Sequence, residues 1–521
     1  MTIRLAFGTA GIRATLGPAD DQINPGTVAA IAHALASYVG ERFAGARGRG
    51  FCIGFDGRTD SALLAQKIVE VAQAHGFRVR AFELPVPTPL LAFCTRYYDS
   101  AAGVMVTASH NPPHENGVKI YLSGGAQLSA PHDREIAARL QAFDARELPA
   151  ADPAAVAYER LGESELEAYL AAIERLLEVP SSAPLPRLAY SALCGVGSAV
   201  TRRLFVRAGA RDVLEVAAQA EPRSDFGGLA SPNPEHEEAL AELLRTADEA
   251  RIDLGFAHDP DADRLAVVVR ARDGRLRTLT GDEVGALIGS FLLEECRAKE
   301  RALLVSTLVS GALLEYVARA HGARFERTPT GFKWIAARAR ALEQEAGLSF
   351  LFGYEEAIGY AFGSMADDKD GIAALYVLLE LVRRLHAERR TLLDELDTLF
   401  LRHGLFATRQ LSVPRSLDAS AGPQLLERLR EVAADALLGP GATMVDYRLA
   451  EQATDLLVLS APDGSRLCAR PSGTEPKLKL YLHTRVEVAD GDLQRARSVA
   501  AERLDALQAC VQALSSAAPA S

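Results

Sequence analysis

The sequence predicts an α/β protein built from three related α/β domains and a smaller C-terminal α+β domain. Three observations predict it. One order of strand, turn, helix, glycine and strand occurs three times, with more than a hundred residues between starts. The chain has 521 residues, too many for one core and enough for three to five domains. After His403-Gly404 the pattern changes to short strands and a glycine-rich turn.

Taken in order, the first unit is FCIGFDGRTDSALLAQKIVEVAQAHGFRVRAF, from Phe51. It reads as a buried strand, a turn, a helix with apolar spacing, a stop at Gly76 and a second strand. The same order starts at Arg187, with Gly209 as the stop, and at Arg301, with Gly322. Units this far apart imply repeated α/β domains, not a solenoid of short repeats. LPAADPAAVAY (Leu148 to Tyr158) reads as a linker, followed by a helix over Glu163 to Leu177. The third domain is expected to open near TLTGDEVGALIGSFLLEE, with Asp282 close to a helix N-terminus. The last domain should hold a helix near Gln424 to Ala436 and end in a disordered tail, SSAAPAS. The expected domains are 1–152, 153–279, 280–403 and 404–521.

Composition narrows the function. Hydrophobic residues are 48% and charged residues 24%, as in ordinary globular proteins. The net charge of -11 argues against nucleic acid as partner, so an anionic ligand needs a locally basic pocket. The start, MTIRLAFGTAG, has no apolar signal core, and IAALYVLLELV (Ile372 to Val382) is too short to span a bilayer. Six cysteines without a CxxC pair read as reduced thiols, so the expected compartment is cytoplasmic, with no membrane partner.

Five stretches carry chemistry. In VMVTASHNPPHENGVKIY, Ser109 and His110 sit side by side on a loop pinned by Pro112 and Pro113. In HDPDADRLAVVV, Asp259, Asp261 and Asp263 alternate, so in extended chain they share one face and can converge on a hard cation. An EF-hand is excluded, because its sixth and twelfth positions are Arg264 and Arg270. The apolar flanks argue against a merely solvated acidic turn. RPSGTEPKLKLYL places Arg470 beside a Ser-Gly-Thr turn, with Lys477 and Lys479 beyond, which is a phosphate cradle by composition. No GxxxxGK[ST] loop occurs, which disfavours an ATP-dependent kinase. FGYEEAIGY carries Glu355 and Glu356, which suit the paired hydroxyls of a polyol; taken alone, the stretch reads better as a surface loop. In FGTAGIR, Arg13 suits an anion partner and a plain surface position equally. GVGSAV at Gly195 lacks the last glycine of a dinucleotide fingerprint.

Together these stretches resemble the α-D-phosphohexomutase superfamily, the phosphoglucomutase/phosphomannomutase enzymes. The resemblance covers nearly the whole chain in the family's motif order: FGTAGIR, TASHNPP, SPNPE, DPDADR, TPTGFKW, GYEEAIGY, DDKDG and RPSGTEPKLK. It implies four domains around a central cleft, three of them α/β units with mixed sheets. It implies that Ser109 is the phosphorylated serine, with the prolines holding its hydroxyl toward the cleft. Asp259, Asp261 and Asp263 then hold one Mg²⁺, with a phosphoserine oxygen of Ser109 as a further ligand. Arg470, Ser472, Gly473 and Thr474 fall on the loop that grips the substrate's phosphate. Glu355 falls on the glutamate that reads the sugar, with Glu356 beside it and Arg264 in the metal loop. His110, Lys119 and Lys333 occupy positions for proton transfer, and Arg13 lies near the phosphoserine.

The implied activity moves a phosphoryl group between C1 and C6 of a hexose phosphate, glucose or mannose, with hexose 1,6-bisphosphate as intermediate and activator. Many relatives have EES in the sugar loop, whereas this chain has Ala357. That keeps phosphopentomutase and glucose-1,6-bisphosphate synthase as alternatives. From other classes, a metal-dependent phosphohydrolase and a non-catalytic phosphosugar-binding protein compete. A monomer or homodimer is expected.

Overall fold

The computed structural model describes residues 3–8, 11–149, 158–178, 183–363, 365–414, 421–450, 454–472 and 477–516. The first repeat begins with Phe51–Phe55, buried at every position, which fits a strand covered on both faces. Helix Ser61–Ala74 follows, then Gly76 at φ 78 stops it and turns the chain into Val79–Phe82. Helix Thr88–Tyr97, with proline in its first turn, leads to Ala102–Val106, and the chain returns antiparallel as Glu115–Leu122. In space the order is 115–122, 102–106, 51–55, 79–82; the last three strands run parallel.

The second and third sheets repeat this arrangement strand for strand. The second runs Leu265–Arg270, Leu254–His258, Leu188–Ser191, Val213–Glu215. The third runs Gly359–Phe362, Ser349–Glu355, Ala302–Thr307, Arg324–Thr328. In each, one antiparallel strand closes a parallel set. The loop between the third strand and that returning strand is therefore the same topological place three times. It carries Ser109 in the first sheet, the three aspartates in the second, and Glu356 and Ala357 in the third, just after Glu355 ends its strand. Each of these loops also holds one non-glycine residue in the left-handed region: Ser109 (φ 54), Ala262 (φ 56) and Ile358 (φ 54).

The fourth sheet is different. Its five strands, Leu405–Pro414, Lys477–Val486, Arg466–Pro471, Leu457–Ser460 and Thr443–Asp446, are antiparallel throughout. Its own core joins Leu425 and Leu429 of helix Ala421–Glu431 to Leu459, Leu480 and Leu507. The helix expected over Gln424 to Ala436 is two pieces, Ala421–Glu431 and Ala434–Leu438.

The apolar run Ile372 to Val382 lies in helix Gly371–Ala387, buried on nearly every side among the second and third sheets. A helix apolar all round belongs in a core, so its hydropathy is explained without a membrane. Among the described residues no helix is long and apolar enough to cross a membrane. The linker position at 152/153 and residues 517–521 of the expected tail lie outside the described residues; the tail's first two residues, Ser515 and Ser516, end helix Leu493–Ser516 rather than being disordered as expected. Strand Glu159–Leu161, which follows that linker, pairs with Val79–Phe82 of the first sheet.

The segment before Gly371 joins the three related units. Asp367 pairs with Arg96 and Arg340. Asp368 accepts from Tyr121 at 2.9 Å and Gln127 at 2.8 Å. Lys369 lies 3.3 Å from Asp263. Asp370 caps the helix at Ala373 and accepts from Tyr169.

Candidate active site

Ser109 sits where strand Ala102–Val106 gives way to the return. A residue with a Cβ holds the left-handed conformation at a cost of about 1 kcal/mol, so its neighbours must fix it. Its N–H donates to Thr107 Oγ1 at 2.8 Å, and its carbonyl accepts from Arg58 Nη2 at 2.6 Å. Its hydroxyl donates to Asp259 Oδ2 at 3.0 Å. Ser109 is 1% exposed. The hydroxyl thus points across to the second domain's acidic loop, and the neighbouring His110 lines the cavity.

The three aspartates converge, but not through an extended chain. Residues 259–262 turn, with Ala262 left-handed, and curvature brings the carboxylates together. Oxygens of all three lie within 4.8 Å of one another, and all three residues are buried. Asp261 Oδ2 accepts from Thr88 Oγ1 and from Lys119 Nζ, both at 2.6 Å, while Lys119 also reaches Asp263 Oδ2 at 2.6 Å. Asp261 Oδ1 and Asp263 Oδ1 are buried without a hydrogen-bond partner. Buried, clustered carboxylates with unpartnered oxygens fit a hard divalent cation, so this group could hold a metal ion. Burial, then Asp261 and Asp263, push the Asp259 carboxyl well above its usual value. Burial and Asp263 act against ionised Asp261, but Lys119 and Thr88 outweigh them and hold it low. Gly371 backs the loop: a Cβ there would come within 2.6 Å of the Arg264 carbonyl.

The Glu355–Ile358 loop is zipped to the acidic loop, since Leu265 N–H donates to the Ile358 carbonyl at 3.1 Å. Glu355 accepts from Gly331 N–H at 2.6 Å; burial and then Glu356 raise its carboxyl. Glu356 accepts from Thr307 Oγ1 at 3.1 Å and Ser310 Oγ at 3.2 Å. Arg264 donates to Glu235 at 2.9 Å and takes Asp259 on its backbone N–H at 3.0 Å.

A cavity of about 520 Å³ lies over these loops. Arg13 and His110 come from the first domain, and Glu235 and Arg264 from the second. Glu355, Glu356 and Lys369 come from the third, and Arg470, Ser472, Lys477 and Lys479 from the fourth. Arg13 is anchored by Nη1 to Asn111 Oδ1 at 2.7 Å. Arg470 rests its guanidinium 5.9 Å from the Tyr481 ring centre, and Nη2 donates to its hydroxyl at 3.3 Å. His110 is held well below its usual value by burial, then by Arg264 and Arg13, so its imidazole is neutral. Burial alone would lower Lys119, but Asp261 and Asp263 outweigh it and keep the ammonium charged.

Lys333, expected as a proton-transfer group, is not among the residues lining the cavity; its ammonium lies 3.7 Å from Asp133 and 5.7 Å from the Trp334 ring centre. Position 333 is the second residue of helix Phe332–Ala346, and buried Phe332 beside it takes the inward face. Gly473 and Thr474 lie outside the described residues. Three residues were passed over as site residues. Lys369 lines the cavity beside Asp263, and Glu235 holds Arg264; both lie inside quoted motifs, DDKDG and SPNPE. Arg58 holds the serine loop, and its signal was a cation just after a buried strand, in FDGRTD.

Comparison with known proteins follows this division. The description "Phosphoglucomutase/phosphomannomutase, alpha/beta/alpha domain I" matches residues 4–147. Those for domains II and III match 167–274 and 280–400, and that for the C-terminal domain matches 422–501. A protein of Haemophilus influenzae named probable phosphomannomutase is 38% identical over 443 residues, 83% of this chain and 87% of that protein. A protein of Schizosaccharomyces pombe named probable phosphoribomutase is 31% identical over 535 residues, 95% of this chain and 89% of that protein. A solved phosphoglucomutase/phosphomannomutase family protein from Burkholderia thailandensis shares the fold, with TM-score 0.71 at 22% identity, over 96% of this chain and 97% of that one.

Proposed function

The chain belongs to the phosphoglucomutase/phosphomannomutase family, and from that premise we propose that Ser109 carries the phosphoryl group in a hexose phosphate mutase acting first on glucose 1-phosphate. One observation carries the reading: Ser109 Oγ lies 3.0 Å from Asp259, in the acidic group that could hold a metal, and the next residues along both loops, His110 and Arg264, line a cavity shared with Arg13 and Arg470. Nucleophile, charge-neutralising site and anion grip thus share one place.

The residues divide the work. Asp259, Asp261 and Asp263 would hold Mg²⁺, which would supply charge neutralisation for the transferring group. Phosphorylated Ser109 gives its phosphoryl group to the free hydroxyl of a sugar 1-phosphate, and His110 is placed to take that hydroxyl's proton. Lys119, held as an ammonium, and Arg13 stabilise the oxygens left behind. The resulting bisphosphate turns within the cavity, and its other phosphate returns to Ser109. Glu355 and Glu356 receive ring hydroxyls in either orientation, while Arg470 and Ser472, with Gly473 and Thr474, grip the phosphate that is not reacting. Lys369 adds positive charge on the sugar side. Hexose 1,6-bisphosphate activates the enzyme by restoring phosphoserine.

Ala357 removes one hydroxyl that a sugar would otherwise meet, which favours looser discrimination. The relative named phosphoribomutase keeps a pentose reading in play. Rates with glucose, mannose and ribose 1-phosphates, each primed with glucose 1,6-bisphosphate, test the assignment. Glucose 1-phosphate should be fastest, mannose 1-phosphate slower and ribose 1-phosphate detectable. A ribose rate above the glucose rate by about tenfold would make this a phosphopentomutase.

A further inference from the structure

The left-handed backbone at Ser109 needs something to hold it, and Thr107 supplies only one hydrogen bond. Arg58 supplies four more to the same loop. Nη1 donates to the Pro112 carbonyl at 2.8 Å and to that of Glu115 at 3.0 Å. Nη2 donates to the carbonyls of Ser109 and Asn111, both at 2.6 Å. All four of its terminal N–H donors are thus spent on backbone carbonyls that flank and include the serine. The guanidinium itself is fully buried beside Asp56, whose carboxylate lies 3.3 Å from Nε and accepts from Ser61 at 2.7 Å.

The other face of the guanidinium lies 4.7 Å from the Phe226 ring centre, and Phe226 belongs to the second domain. The same seam is tight at Gly57, where a Cβ would come 3.1 Å from Pro222 Cβ. The plate that organises the serine loop is therefore pressed against the domain that supplies Asp259.

We infer that Arg58 is a positioning residue for phosphoryl transfer: it ties four loop carbonyls into one plane, fixes Ser109 left-handed with Oγ toward Asp259, and is locked to the second domain by Phe226. Lysine cannot replace it, since an ammonium has no planar fork to span four carbonyls. The inference rests on reading Ser109 as the phosphoryl carrier.

The test compares wild type, Arg58→Lys and Phe226→Leu, each charged with glucose 1,6-bisphosphate. Phosphate on Ser109 is counted by intact mass, and kcat is expressed per phosphorylated site. Misplacing a nucleophile by an ångström costs about a hundredfold, so Arg58→Lys should lose about that much kcat while KM moves less than about threefold. It should also release a larger share of its phosphoserine to water than to sugar, a ratio that lost stability alone would not change. Phe226→Leu keeps the clamp but loosens its lock, and should lose roughly threefold to tenfold in kcat. A folded Arg58→Lys enzyme with wild-type kcat and transfer ratio overturns the inference. If Arg58→Lys does not fold, an unchanged kcat and transfer ratio in Phe226→Leu overturn it. A wild type that turns over substrate without phosphate on Ser109 sinks the carrier reading instead.

Discussion

Behind one wall of the cavity, the one formed by His110 and Arg264, Ser109, Asp259, Asp261 and Asp263 are at most 1% exposed, and their loops are cross-linked between domains. On the other wall Arg470 and Ser472 are half-buried, on an antiparallel sheet with its own core. The first wall is bound three ways, through Asp367 to Asp370, through Leu265 to Ile358, and through Thr88 to Asp261. The fourth domain meets the third through Arg466 to the Ser310 carbonyl, Arg485 to that of His403, Arg497 to Asp397, and an apolar cluster of Val309 with Leu456, Val458 and Cys468. Transfer chemistry needs atoms held to a fraction of an ångström, while a grip that admits and releases phosphosugar needs travel. On the proposed reading the two demands fall on separate domains.

That contrast breaks most sharply at the metal loop. Chelation should abolish turnover, and Asp261→Asn should lower kcat by roughly a hundredfold and raise the Mg²⁺ concentration needed for half-maximal rate. Activity at the wild-type rate in chelator would reduce the triplet to an ion-paired cluster. On the opposite wall the expected effect is smaller and different in kind. Arg470→Ala should raise KM by about tenfold to a hundredfold, for about 1.5–3 kcal/mol of charged hydrogen bonding, with kcat changed less. An unchanged KM would place the phosphate elsewhere.

The smallest effect concerns the bolting. Burial raises the Asp370 carboxyl to about 6, although Ala373 N–H and Tyr169 hydroxyl bonds oppose this. The folded state thus binds the proton more tightly than the unfolded one. That contribution is full below about pH 4 and is lost as pH rises through about 6. Asp370→Asn cannot ionise, so between pH 5 and 7.5 its Tm should gain on wild type by about 2 °C. A gap that stays constant over that range would show that Asp370 does not titrate there.

Much of this was legible in the sequence because it is periodic or local. The three βα repeats show in strand and helix periods with glycine stops at Gly76, Gly209 and Gly322, and the acidic triplet shows as spaced aspartates between apolar runs. What was not legible depends on partners far along the chain. Nothing near Arg58 announces that its four acceptors lie more than fifty residues away. Lys369 owes its place to Asp263, from another domain. Where Lys333 points depends on helix phase, and Phe332 takes the buried face beside it. The triplet's convergence was foreseen but through extended chain, because a left-handed Ala262 leaves no mark in composition.

The central claim is that Ser109 carries the transferred group. The most direct measurement incubates the protein with glucose 1,6-bisphosphate, maps the phosphorylated peptide by mass spectrometry, and then adds glucose 1-phosphate. The account predicts one phosphoryl group on Ser109, stable until sugar is added and then transferred to it, with none taken up by a folded but inactive Ser109→Ala variant. Turnover without phosphate on Ser109, or wild-type turnover by Ser109→Ala, would contradict it.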